Sequence, residues 1–155
     1  MVEKALYEDL EEILALQKLA YKSEAEIYDD FEIPPLTQTL VGIKEDYKNQ
    51  VILKMVLDGK IIGSVRAYKK DYVCHIGRLI VHPAHQNKGY GKCLIKAIEE
   101  YFSDCKKFSL FTGKKSTRNL YFYNSLGYKT VREEYVNDNL THVYLEKSFI
   151  FNKNI

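Results

Sequence analysis

The chain predicts a single mixed α/β domain. Short apolar runs of strand length alternate with stretches whose apolar residues recur at helical spacing. Two of those runs, Val51–Leu57 and Ile61–Tyr68, flank Asp58-Gly59, a strong hairpin signal. The segment from Leu79 to Gly91, L-I-V-H-P-A-H-Q-N-K-G-Y-G, carries an apolar strand through a glycine-containing loop into an amphipathic helix marked by Leu94, Ile95, Ile98, Tyr101 and Phe102. At 155 residues, residues 1–155 make one domain by length, with enough chain to bury a core unaided.

Val2–Leu6 reads as a first strand. Asp9 and Glu12 form an N-cap and N3 pair, and Leu10, Ile13, Leu14, Gln17 and Tyr21 share one face of the helix that follows. Lys22 to Pro35 reads as irregular and acidic, closed by Pro34-Pro35, which forbid a continuing helix. Thr37 is the expected cap of a second helix reaching about Tyr47. After the hairpin, Tyr72–Val81 is the fourth strand, the helix behind the glycine loop comes next, and Phe108–Thr112 is the fifth strand. Ser116 is placed to cap a short helix that Gly127 closes in the left-handed conformation. Tyr128–Tyr135 and Thr141–Glu146 complete the set, giving about seven strands and four helices, with residues 148–155 as a loose tail.

Composition narrows the functions. Hydrophobic residues at 46% and charged residues at 28% fit a soluble globular protein. No stretch reaches the ~20 apolar residues of a membrane span, since Lys54 interrupts the best candidate. Met-Val-Glu-Lys-Ala has no apolar signal core, so the expected location is the cytoplasm, with no membrane partner. A net charge of +2 argues against a nucleic-acid partner, although Lys106, Lys107, Lys114, Lys115 and Arg118 make a local basic segment. Cys74, Cys93 and Cys105 form no C-x-x-C pair and read as buried thiols. His82 and His85 lack a third ligand pattern, so no metal is expected.

Loop amides without side chains, with the unpaired first-turn N–H groups and the positive helix end, bind phosphate. Two nucleotide-binding loops are excluded. A dinucleotide fingerprint needs glycine where Leu94 stands, and a Walker A loop needs glycine where Gln86 or Phe108 stands. What remains is Gln86-x-x-Gly89-x-Gly91 after an L-x-V strand end. A second motif lies downstream, Phe122-Tyr123-x-x-Leu126-Gly127-Tyr128.

Together these two motifs, in this order and spacing, resemble the GNAT superfamily of acetyl-CoA-dependent N-acetyltransferases. The element order is similar to the GNAT fold, which implies a mixed, mostly antiparallel sheet splayed between strands four and five. Acetyl-CoA is then the expected co-substrate. The resemblance implies that the backbone N–H of Leu79 donates to the thioester oxygen and that Ile80 and Val81 hold the pantetheine arm. Gln86, Asn87, Lys88, Gly89, Gly91, Lys92 and Asn119 are the implied coenzyme contacts. Tyr123 is the implied general acid. A side chain at Gly89 or Gly91 is expected to intrude on the phosphates, with Gly91→Asp leaving the fold intact.

Acetyl transfer to an amine asks for a neutral amine, a donor for the oxygen that gains charge and a proton for the departing sulfur. Many relatives carry a carboxylate six residues before the valine of L-x-V, and here that position is His75. Its ordinary pKa of about 6.5 suits proton acceptance near neutrality. Strand alternation puts it on the face of Leu79 and Val81. Water relaying the proton to the acidic segment is equally open. Glu24, Glu26, Asp29, Asp30 and Glu32, interleaved with Tyr21, Tyr28 and Phe31, would attract a cationic amine. The leading expectation is acetylation of a primary amine on a small cationic molecule. The alternatives are a protein or peptide amine, a longer acyl group, a CoA-binding sensor without catalysis, or a nucleic-acid module on the basic segment. A homodimer is left open.

Overall fold

In the computed structural model, which describes residues 1–149, β1 (Val2–Lys4) leads through a short turn into α1 (Leu10–Ala20), α2 (Lys22–Tyr28), α3 (Pro34–Thr37) and α4 (Leu40–Asn49). The central strands follow as β2 (Val51–Leu57), β3 (Lys60–Lys70) and β4 (Val73–Val81). Then come α5 (Tyr90–Tyr101), β5 (Lys107–Gly113), α6 (Thr117–Ser125), β6 (Lys129–Asn137) and β7 (Leu140–Ser148). The strands form one sheet in the order β1-β2-β3-β4-β5-β7-β6. Every neighbouring pair is antiparallel except β4 with β5.

The sheet divides the core in two. On one face α5 and α6 cover Leu53, Val65, Ala67, Cys74, Ile76, Phe108, Leu110 and Leu145, with Leu94, Ile95 and Ile98 of α5 buried among them. On the other, α1 and α4 cover Ile52, Ile61 and Ile80 with Leu10, Ile13, Leu14 and Ile43. Burial of these side chains is the main favourable contribution to the fold.

Several local signals are redirected by tertiary contacts. The Lys22–Pro35 stretch is not irregular: α2 forms because Ala25 and Tyr28 bury one face, and it ends at Asp29 in the left-handed conformation. No helix continues through Pro34 and Pro35; they instead start α3, where a missing N–H costs nothing. Thr39, not Thr37, caps α4, its Oγ1 accepting from Gly42 N at 3.1 Å. Asp9 precedes α1 but is spent elsewhere, accepting from Leu6 N at 2.7 Å and Lys54 Nζ at 2.6 Å, while Glu12 accepts from Ile61 N at 3.0 Å. Ser148 ends β7, and Phe149 packs edge-on against Phe108 at 5.3 Å, so the loose tail does not begin at Ser148. Residues 150–155 lie outside the described residues. All of β6 is exposed, and Arg132 on it stacks over Tyr144 of β7 at 3.7 Å.

Below α5, Tyr128 donates to Glu99 Oε2 at 2.7 Å and Lys147 Nζ approaches the same carboxylate at 3.2 Å. Glu99 and Tyr128 are both buried, at 9% and 1% exposure, so each hydrogen bond replaces water that cannot return. Tyr128→Phe leaves this carboxylate short of one donor and is expected to destabilise the fold by about 1–3 kcal/mol. Denaturant unfolding at neutral pH checks it.

Candidate active site

β4 and β5 start side by side and then part. Parallel pairing runs Val73↔Lys107, Cys74↔Phe108 and His75↔Ser109, whereas the strands continue to Val81 and Gly113. The free stretch of β4 contains a bulge. Pairing with β3 jumps from Arg66↔Gly77 to Ser64↔Ile80, so Arg78 and Leu79 stand opposite Val65 alone. Arg78 takes φ 47°, the left-handed region, to make the step. A bulge leaves its extra residue without a ladder partner and turns the strand. Leu79, expected to donate its backbone N–H, therefore lies in the one irregular turn of β4, inside the slot.

The bulge also inverts the alternation. Leu79 and Val81 pack with the α5–α6 core that holds Cys74 and Ile76, while Ile80 packs with the α1–α4 core. His75 pairs with Tyr68, and their rings stack at 5.0 Å on the α1–α4 side. His75 thus shares the face of Ile80, not that of Leu79 and Val81, because strict alternation fails at the extra residue. Burial, then Lys70, lowers its pKa, so the imidazole is neutral at pH 7.

Beyond β4 the chain rounds a tight turn, where His82 Nδ1 accepts from Ala84 N at 3.0 Å, and reaches α5. Gly89 precedes the helix at φ 83°, a conformation that glycine adopts freely. A Cβ there would meet nothing within 4 Å, so the space in front of the first turn of α5 is open. Exposed Asn87, Lys88 and Lys92 surround it, with Gln86 half-buried behind. Arg118 of α6 joins them, donating to Asn87 Oδ1 at 2.6 Å. Open amides, a helix N-terminus and three flanking cations fit a pyrophosphate. Gly91 also has a packing job: a Cβ there would meet Phe122 Cζ at 3.2 Å. It lets α6 approach α5, so Gly91→Asp strains helix packing and does not leave the fold untouched.

Tyr123 lies on α6, packed against the core on that side of the sheet. Its ring packs edge-on against Phe122 at 5.3 Å and Tyr128 at 6.1 Å. Burial raises its pKa, and Tyr21 and Glu24 add to the rise. The phenol therefore keeps its proton across the neutral range. Ser116, buried before α6, does not cap the helix with its side chain. Its hydroxyl donates to Glu24 Oε2 at 2.6 Å, and Tyr28 Oη lies 2.7 Å from Ser116 Oγ. A serine has a single proton, so Tyr28 is the donor in that second bond. Asn119 donates to Glu24 Oε1 at 2.7 Å and Thr112 Oγ1 at 3.2 Å. Asn119 is thus placed between α2 and β5, and Glu24 belongs to this tie and not to a free acidic surface.

The other acidic residues separate. Asp29 and Asp30 line a cleft of about 280 Å³ with Tyr28, Asn137, Asp138, Asn139 and Leu140, while Glu26 and Glu32 are exposed on the surface. A larger cleft of about 410 Å³ opens on the α1–α4 side of the slot, between Gln38, Asp46, Arg66, Tyr68, His75, Arg78, Ser109, Phe111 and Tyr144. Its two arginines were not anticipated. Arg66 is 2% exposed, donating to Asp46 Oδ2 at 2.8 Å, Gln38 Oε1 at 3.3 Å and Gln17 Oε1. A charge flanked by Val65 and Ala67 was the signal available for it.

A family model described as an acetyltransferase (GNAT) domain matches residues 36–149. The chain belongs to the GNAT acetyltransferase family. The fold seen here recurs in solved structures. The ribosomal-protein-S18-alanine N-acetyltransferase from Escherichia coli superposes with a TM-score of 0.81 at 11% identity, covering 100% of this chain and 97% of that one. The PaiA N-acetyltransferase from Thermoplasma acidophilum, in complex with coenzyme A, superposes at 0.71 with 18% identity, covering 96% and 98%. In sequence, this GNAT chain is 30% identical over 118 residues to UPF0157 protein YqkA from Bacillus subtilis, covering 76% of this chain and 34% of that protein. It is also 30% identical over 91 residues to UPF0039 protein C11D3.02c from Schizosaccharomyces pombe, covering 56% and 59%. The GNAT chain thus spans about a third and well over half of these two relatives. Among the described residues, no helix is long and apolar enough to cross a membrane.

Proposed function

We propose that this GNAT domain transfers the acetyl group of acetyl-CoA to an amine on a small cationic acceptor. The observation that carries the reading is the parting of β4 from β5 after His75↔Ser109, with the Arg78–Leu79 bulge on the freed edge and the Gly89 helix terminus beyond it. Acetyl-CoA supplies an activated thioester whose carbonyl carbon exchanges its bond to sulfur for one to nitrogen.

The protein's residues serve the three demands of that exchange. The Gly89 amide region, Gln86, Asn87, Lys88, Lys92 and Arg118 take the pyrophosphate, and the backbone of Ile80 and Val81 takes the pantetheine arm. Leu79 N–H donates to the oxygen as negative charge develops there, in a site fixed before reaction. Tyr123 gives its proton to the departing sulfur and regains one from solvent. The nitrogen's proton goes to the neutral imidazole of His75, directly or through water, because His75 lines the acceptor cleft at the fork of the two strands.

The cationic part of the acceptor is read from Asp29, Asp30 and Asp138, which gather around the smaller cleft. Exposed pairs are individually weak and screened by salt, so this attraction belongs in acceptor KM. Neutralising Glu26, Asp29 and Asp30 together to amides is expected to raise KM for a cationic acceptor at low ionic strength, to lose that effect at high salt and to leave KM for acetyl-CoA unchanged. A screen of amines by thiol release tests the function itself. Absence of release with every amine, in protein that binds acetyl-CoA, would point to the non-catalytic sensor.

A further inference from the structure

The larger cleft contains more positive charge than the protein balances. Arg66 spends its Nη atoms on Asp46, Gln38 and Gln17, yet its Nε is buried without a partner. Arg78 has no ion pair and no hydrogen bond among the described residues, and its Nε is likewise buried and unpartnered. The one carboxylate lining the cleft, Asp46, is already engaged by Arg66 Nη1 and Gln38 Nε2, each at 2.8 Å. The remaining titratable groups facing it are the neutral His75 and the phenols of Tyr68 and Tyr144. Burial lowers the pKa of Arg66, and Arg78 lowers it further, which is like-charge repulsion felt across the cleft.

A guanidinium left without an acceptor in a half-closed site is costly, and a left-handed φ at a non-glycine residue adds to the cost. Arg78 carries both penalties at the bulge beside Leu79. We infer that Arg78, backed by Arg66, binds a carboxylate on the acceptor molecule, so that the substrate class is a small amino acid and not a simple alkylamine. A carboxylate accepts two parallel N–H bonds from the planar guanidinium, which satisfies Nε and one Nη together. A volume of about 410 Å³ admits one small molecule. The attacking nitrogen then lies near His75 and Leu79, while the carboxylate is held one position away along the same strand. The cationic end reaches along β5, whose Ser109 and Phe111 line the larger cleft and whose Gly113 lies under Tyr28 of the acidic one.

This inference rests on the proposed acetyl transfer, and its test separates the two. Amino acids and their carboxamides are compared as matched acceptors by thiol release, with wild type, Arg78→Gln and Arg78→Lys, each checked for folding by thermal unfolding. The acids are expected to show an acceptor KM lower than the amides by roughly tenfold or more, the scale of a hydrogen bond to a charged group. Arg78→Gln should abolish that preference, Arg78→Lys should keep part of it, and KM for acetyl-CoA should stay constant. Separately, propionate is titrated calorimetrically into the protein with CoA. Saturable binding to wild type and its loss in Arg78→Gln support the site even if no acceptor turns over, an outcome that would count against transfer instead. Amides or alkylamines used as well as acids, a preference unchanged in Arg78→Gln, or no propionate binding would overturn it. Inorganic phosphate binding in place of propionate would overturn the carboxylate assignment and redirect it to a phosphorylated amine.

Discussion

Gly89→Asp is expected to weaken acetyl-CoA binding by at least about tenfold, and more at low salt. The residue sits at φ 83° with open space in place of a Cβ, so the new side chain clashes with nothing. Aspartate is among the residues best tolerated at positive φ, and the variant should fold. Its carboxylate, however, stands where the amides of α5 and Lys88, Lys92 and Arg118 converge, and it repels the phosphates they attract. Gly89→Asn separates charge from strain: it carries the same shape and should lose much less affinity. Calorimetry with both variants checks this, and unchanged affinity in Gly89→Asp would remove the loop as the phosphate site.

Tyr123→Phe removes one proton and almost no volume. General acid catalysis is typically worth ~10² to 10⁴ in rate, so kcat should fall at least tenfold while acetyl-CoA affinity holds. No structural bond is lost with the hydroxyl, since Tyr123 Oη has no hydrogen-bond partner among the described residues. Stability should therefore stay near wild type, which distinguishes this phenol from Tyr128, whose hydroxyl holds Glu99. Stopped assays with saturating acceptor measure the effect, and a wild-type kcat would exclude Tyr123 as the acid.

Much of the fold was legible because its signals are local. The Asp58-Gly59 turn, the amphipathic run of α5 and the glycine closing α6 each report on a few neighbouring residues, and the structure forms all three, with Gly127 at φ 97°. The glycine turn into α5 was legible for the same reason, with Gly89 at φ 83°. What escaped depends on distant partners. Nothing at Arg78 announces a left-handed residue, because glycine or asparagine is the usual marker, so the bulge and the reversed facing of His75 were hidden. The helix at Lys22–Tyr28 exists because Tyr28 reaches Ser116 across the sheet, 88 positions away. That Gly91 also lets α6 approach α5 could not be read before Phe122 was seen against it. The paired arginines of the larger cleft come from two strands, and only the pairing of Arg66 with Gly77 brings them together.

The reversal of β4 at its bulge has a kinetic consequence. Leu79 and Val81 look toward the α5–α6 side and His75 toward the α1–α4 side, so under the proposed transfer the two reactants approach one stretch of backbone from opposite faces of the sheet. Neither blocks the other's entry, and both can be held at once. Of the three cysteines expected to be buried, Cys74 and Cys105 are, with thiol pKa values pushed up by that burial, whereas Cys93 is exposed on the outer face of α5 with Lys92 and Lys96, so none waits as a nucleophile on β4. Under the proposed transfer, the acetyl group has no resting place on the protein. The reaction runs through a ternary complex, and the rate law is sequential, not double-displacement.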